Sequence, residues 1–111
     1  MKKILIIGLT ALLLLSCEES NIDENKNYIG FWTSIDGDIT YTLDVLANGR
    51  CNYKASIRSG NKLTYSGFEG KFALQDSTLK IGFKTLIVNE PPTWLDGTWY
   101  LTMDKHEYTR K

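Results

Sequence analysis

The feature that most constrains the fold is an alternation. From residue 28 to residue 111, apolar and polar side chains trade places at every second position. Turn-forming residues interrupt the pattern at intervals of about 8 to 12, the rhythm of short antiparallel strands. A strand turns successive side chains to opposite faces, so this period fits a sheet with one face inside and one in water. Nothing in these 84 residues carries the spacing of an amphipathic helix. The expectation is an antiparallel all-β domain.

The strands can be laid out in order. Gly30-Phe31-Trp32 falls in a first strand over residues 28–34. Asp36-Gly37-Asp38 turns it into a second, 39–46, in which Tyr41, Leu43 and Val45 share a face. Asn48-Gly49 is the pair best able to supply the two positive φ angles of a type I′ hairpin turn, and a third strand returns over 50–58. Ser59-Gly60-Asn61 leads into a long strand, 62–74, which Gly67 and Gly70 are placed to bend or bulge. Gln75-Asp76-Ser77 leads into 79–83, and 85–89 continues as strand. Pro91-Pro92 cannot donate ladder hydrogen bonds and is assigned to a loop. Residues 97–103 and a short 107–109 complete the set. Seven or eight strands, joined mainly as consecutive hairpins, predict a small up-and-down meander, closed or nearly closed into a barrel.

The expected interior is crowded. Trp32, Tyr41, Leu43, Val45, Cys51, Tyr53, Ile57, Leu63, Tyr65, Phe72, Leu74, Leu79, Ile81, Phe83, Leu86, Val88, Trp99, Leu101 and Met103 are the inward candidates. A domain this small buries only about 60% of its unfolded surface, so little apolar area is left for an empty calyx. A packed core is expected, with at most a shallow cleft at one mouth.

The amino-terminal stretch follows different rules. Met1-Lys2-Lys3 is basic, and twelve mainly apolar residues run from Ile4 to Leu15. A helix needs about 20 such residues to cross a bilayer, so this run has the length of a signal-peptide core instead. Leu14-Leu15-Ser16-Cys17 resembles the lipobox of bacterial lipoproteins. That resemblance implies cleavage before Cys17, diacylglycerol on its sulfur and an acylated new amino terminus. Several acyl chains anchor far more firmly than one, since each buried CH₂ contributes about 0.8 kcal/mol. The expected partition is a lipoprotein signal peptide at 1–16, a lipidated Cys17 with an acidic flexible tether at 17–27, and the barrel domain at 28–111. Residues 18–27 hold four acids, one base and a single apolar side chain, Ile22, which is the composition of a solvated linker. They are also similar to the acidic signals that follow the cysteine in surface-exported lipoproteins of Bacteroidetes, so surface and periplasmic faces of the outer membrane both stand open.

Charge narrows the function classes. The chain has 13 bases and 13 acids, and loss of Lys2 and Lys3 leaves 11 against 13. No basic patch points to nucleic acid. With Cys17 consumed by the lipobox, Cys51 has no partner; it lies in phase with Tyr53, Ala55 and Ile57 and reads as a small core hydrophobe. His106 is the single histidine, in an expected turn, and no metal-binding or hydrolase motif occurs. No enzyme, cofactor or metal is expected.

Binding is the remaining class. Glu90-Pro91-Pro92-Thr93-Trp94-Leu95-Asp96-Gly97 carries a tryptophan and a leucine on a stiffened segment. Trp94 and Leu95 either project, to stack on a sugar or anchor a protein, or fold back to cap the barrel mouth. Gly30-Phe31-Trp32 resembles the G-x-W motif on the first strand of lipocalins and the wider calycin group, in which the tryptophan packs across one barrel end. The layout as a whole resembles the short lipocalin-like lipoproteins of Bacteroidetes, with its tethered cysteine, G-x-W, "YTLDV-x-x-NG", "LKIGFK" and closing "GTWY". True lipocalins are nearly twice as long and carry a C-terminal helix and a disulfide of which this sequence shows no sign. The expected function is a non-catalytic envelope module that binds a protein or glycan through one barrel end, with Trp94, Leu95 and Trp32 as contact residues. The alternative is a carrier of a small hydrophobic ligand in a lipocalin-type cavity.

Overall fold

The computed structural model describes residues 20–110. The leader, the lipobox and Cys17 lie outside the described residues. Eight antiparallel strands follow one another around a closed up-and-down barrel. They are β1 (Gly30–Asp36), β2 (Ile39–Val45), β3 (Arg50–Ser59), β4 (Lys62–Gln75), β5 (Thr78–Ile81), β6 (Lys84–Leu95), β7 (Thr98–Met103) and β8 (His106–Arg110). The ring closes where Thr33 of β1 meets Thr109 of β8. Every other neighbouring pair is consecutive in sequence, as hairpins require.

Alternation fills the barrel. Trp32, Leu43, Phe72, Leu79, Ile81, Leu86, Leu101 and Met103 have no exposed surface, and Val45, Cys51 and Tyr108 have almost none. Each such side chain stabilises the fold by about 1.5–3 kcal/mol when removed from water. Tyr41, Leu74 and Trp99 pack half-buried against this core.

Four expected core residues lie outside it. Leu63 and Tyr65 are exposed because the β3–β4 register runs without a shift from Ser59↔Lys62 to Arg50↔Lys71. With no bulge at Gly67 to change the phase, these odd-numbered residues face away from the side that buries Phe72. Ile57 is exposed, near the end of β3. Phe83 sits in the turn between β5 and β6 and is 99% exposed.

The turns differ in detail from expectation. Asn48-Gly49 does not form a type I′ turn. Gly49 donates to the Leu46 carbonyl at 3.0 Å, and in this loop only Gly49 has positive φ. The result is a three-residue loop, with the Asn48 side chain accepting from the Arg50 N–H at 2.9 Å. Two central residues at positive φ are found instead at Asp96-Gly97 and Asp104-Lys105. Pro91-Pro92 is not a loop but lies inside β6. Pairing with β7 slips between Val88 and Glu90 and again between Glu90 and Thr93, so the prolines fall where the ladder is irregular.

The acidic segment is also corrected. From Ser20 onward it is not a free tether but a strap over one barrel end. The Asn21 side chain donates to the Leu74 carbonyl (2.5 Å) and accepts from the Leu74 N–H (2.9 Å), while its own N–H reaches the Phe72 carbonyl. Two 3₁₀ turns, Ile22–Glu24 and Lys26–Tyr28, then carry the chain to β1. Ile22 and Tyr28 are buried, and the Tyr28 ring lies 5.2 Å from that of Phe72. Polar composition hid this because a single apolar side chain and one asparagine make the attachment.

Candidate functional site

The strapped end is built around Trp32. Its indole Nε1 donates to the Tyr28 carbonyl at 2.8 Å, which ties β1 to the strap. Arg110, near the end of β8, lies over the Trp32 ring at 4.7 Å and over the Trp99 ring at 4.9 Å. One guanidinium nitrogen donates to the carbonyls of Asn27 and Ile29. Burial pulls the Arg110 pKa down from its usual value, the cost of shielding a cation between two indoles. Gly30 makes room for this arrangement. Its φ of +139° suits glycine, and a Cβ there would collide with the Arg110 side chain.

Outside this closed layer stands Trp94. Its ring meets Trp99 edge-on at 5.7 Å and 61°, and it remains 57% exposed. Leu95 is 58% exposed beside it, at the tight Asp96-Gly97 turn. Trp94 therefore projects, braced by a neighbour. A concavity of about 510 Å³ opens next to it, lined by Trp94, Trp99 and Arg110 together with Phe31 and Lys26. Trp32 has no exposed surface, so it cannot touch a partner and its expected contact role is corrected. It is the floor on which Arg110 and the strap are set.

Arg110, Phe31 and Lys26 were not singled out from sequence. Arg110 was within reach of the same reasoning: continuing the alternation of β8 past Tyr108 places it on the same face. Phe31 and Lys26 carry no such signal, because their neighbourhood depends on where the strap docks.

Further polar side chains lie inside the barrel and at its rim. Tyr53 and Tyr108 share a hydrogen bond, and burial raises the pKa of both. The His106 ring stacks 4.5 Å from that of Tyr41, and its Nδ1 lies 3.9 Å from an Asp36 carboxylate oxygen. His106 is thus the half-buried first residue of β8 rather than part of a turn. Cys51 is buried, and burial pushes its thiol pKa up to about 11, which suppresses the reactive thiolate. Among the described residues, no cluster of three or more His, Cys, Asp or Glu side chains is placed to hold a metal ion.

Fold and site together define a class: a small closed up-and-down β-barrel, filled inside and strapped across one end. The chain matches no family model, and no curated protein or solved structure matches it.

Proposed function

We propose that this chain is a lipid-anchored protein of the bacterial outer membrane, lipocalin-like in kind, whose strapped barrel end binds a protein or glycan partner without catalysis. The anchor rests on the leader: a basic start, a short apolar run and Leu-Leu-Ser-Cys ending at Cys17. The observation that carries the binding reading is the posture of Trp94. A large ring, half out in water and held edge-on by Trp99, offers contact area while having little conformational freedom left to lose. Leu95 and Phe31 add exposed apolar surface nearby, and Lys26 adds a cation. The carrier reading is weaker, because side chains with no exposed surface occupy the interior where a ligand would have to sit.

Two experiments separate the parts. Palmitate labelling of cells should mark the wild type and not a Cys17→Ser variant; equal labelling would refute the anchor. Cross-linking in intact cells should recover a partner that Trp94→Ala loses. A central aromatic contact is worth about 2 kcal/mol or more, roughly thirty-fold in affinity. Unchanged recovery from a Trp94→Ala protein of normal stability would refute the binding end.

A further inference from the structure

The hairpin of β3 and β4 carries a bare strand edge. β4 pairs with β3 over residues 62–71 but with β5 only over 72–75. Among the described residues, no strand pairs with the other edge of residues 62–68, and all of these residues are exposed. The register identifies the backbone groups left open. In an antiparallel ladder, alternate residues turn both N–H and C=O toward the same neighbour. Phe72 donates to Gly49, on the β3 side, so the even-numbered residues of β4 bond to β3. Gln75 pairs with Thr78 across the β4–β5 turn, which gives the odd-numbered residues to the other side. Leu63, Tyr65 and Gly67 therefore present their N–H and C=O groups outward. The open run stops at Glu69, where the β5–β6 turn brings Gly82 so close that an added Cβ would lie 3.1 Å from the Glu69 carbonyl oxygen.

We propose that this edge accepts an extended segment of a partner protein, apolar and acidic residues alternating, as an added antiparallel strand. Three observations converge. Open backbone groups in a row are a template for pairing, which proteins blunt with proline, bulges, a cover or lysine charge; β4 has no proline and its ladder with β3 has no shift, so only positive charge guards this edge, and that charge repels cationic strands while admitting acidic ones. Leu63, Tyr65 and Phe68 stand 39%, 59% and 41% exposed along the same run, so an added strand has apolar neighbours on both faces. The charge at the edge has one dominant sign. The Lys54 ammonium lies 5.3 Å from the Tyr65 ring centre and that of Lys84 5.8 Å from Phe68. Arg58 is opposite Leu63, Lys62 is on the edge itself, and Glu69 is the acid of the run. A second copy would bring the same cations face to face, whereas glutamate or aspartate on an incoming strand meets them with opposite sign. The surface is separate from the Trp94 concavity, which no β4 residue lines.

The test uses the full-length chain in nonionic detergent and an end-capped nonapeptide of alternating valine and glutamate. Amide exchange followed by NMR should show new protection at Leu63, Tyr65 and Gly67 as the peptide saturates. Methylating the peptide nitrogens on its pairing edge should abolish that protection, since this removes the donors and leaves the protein untouched. A Lys54→Glu/Lys84→Glu variant should bind at least ten-fold more weakly. The proposal is overturned by equal binding of the methylated peptide, by equal binding of a valine–lysine peptide, by no protection of β4 at millimolar peptide, or by dimerisation of the chain through this edge.

Discussion

Replacing Asn21 by alanine tests whether the strap belongs to the folded domain. The side chain makes two hydrogen bonds to the Leu74 backbone, at 2.5 and 2.9 Å. A hydrogen bond of this kind contributes about 1 kcal/mol net, so losing both costs about 2 kcal/mol. The orphaned Leu74 groups are only partly buried, so water can reach them and the penalty stays near that sum. A domain of this size has roughly 5–14 kcal/mol of stability in all, so Asn21→Ala remains folded and the loss is measurable. Urea unfolding of the two proteins, analysed with a common m-value, should show a lower midpoint for the variant. Hydrogen exchange then locates the effect: the amides of Asn25 and Tyr28, bonded to the carbonyls of Ile22 and Asn25, should exchange faster. An Asn21→Asp variant keeps the acceptor, loses the donor and sets a carboxylate against a carbonyl, so it should recover less than half of the loss. A difference below about 0.5 kcal/mol, with no change in exchange at Asn25 and Tyr28, would show that the strap is not held by Asn21.

Further predictions concern the core and its closure. Arg110→Met should cost about 2–3 kcal/mol, from two stacked indole contacts and the bonds to Asn27 and Ile29; Arg110→Lys should restore less than half, and an unchanged thermal midpoint would count against the stacking. The folded Cys51 thiol keeps its proton to a pKa of about 11 against an ordinary 9.0. Its contribution is therefore complete below pH 9 and is lost as the pH rises from 9 toward 11. Urea midpoints at pH 8 to 11 in reductant should fall less steeply for Cys51→Ala, and superimposable profiles would reject this. Phe83→Ser should change stability by less than about 0.5 kcal/mol, because the ring is 99% exposed, whereas Leu101→Ala should cost about 2–5 kcal/mol. Equal effects of the two would contradict the burial pattern.

The barrel was legible because its information is local. Period-two alternation and closely spaced turns specify consecutive hairpins, and hairpins in a row have few ways to end other than by closing. What local pattern cannot supply is a change of phase. Gly67 invited a bulge and none is present, so Leu63 and Tyr65 were placed on the wrong face. Pro91-Pro92 invited a loop, yet the ladder accommodates it by slipping twice within β6. At the strapped end, Trp94 and Leu95 are exposed, as projection from the barrel requires. Trp32 was given a surface role that its burial denies it, since a motif identifies a tryptophan without saying which side of the wall it faces. The strap was hidden for a different reason: it attaches through Asn21 to β4, some fifty residues away, and no windowed composition registers a contact of that range.

The docked strap also shortens the leash. With the proposed anchor at Cys17, only four residues would separate the lipid from Asn21, a reach of at most about 14 Å even when fully stretched. That is about the scale of the lipid headgroup layer plus a little water, so the proposed anchor would hold the barrel against the bilayer like a moored hull rather than a kite on a line. A barrel so moored would be confined in tilt and rotation, and open to approach only from the side or from above. Residues inserted ahead of Ser20 would lengthen such a mooring and widen the radius within which the proposed end could meet a partner, without altering that end itself.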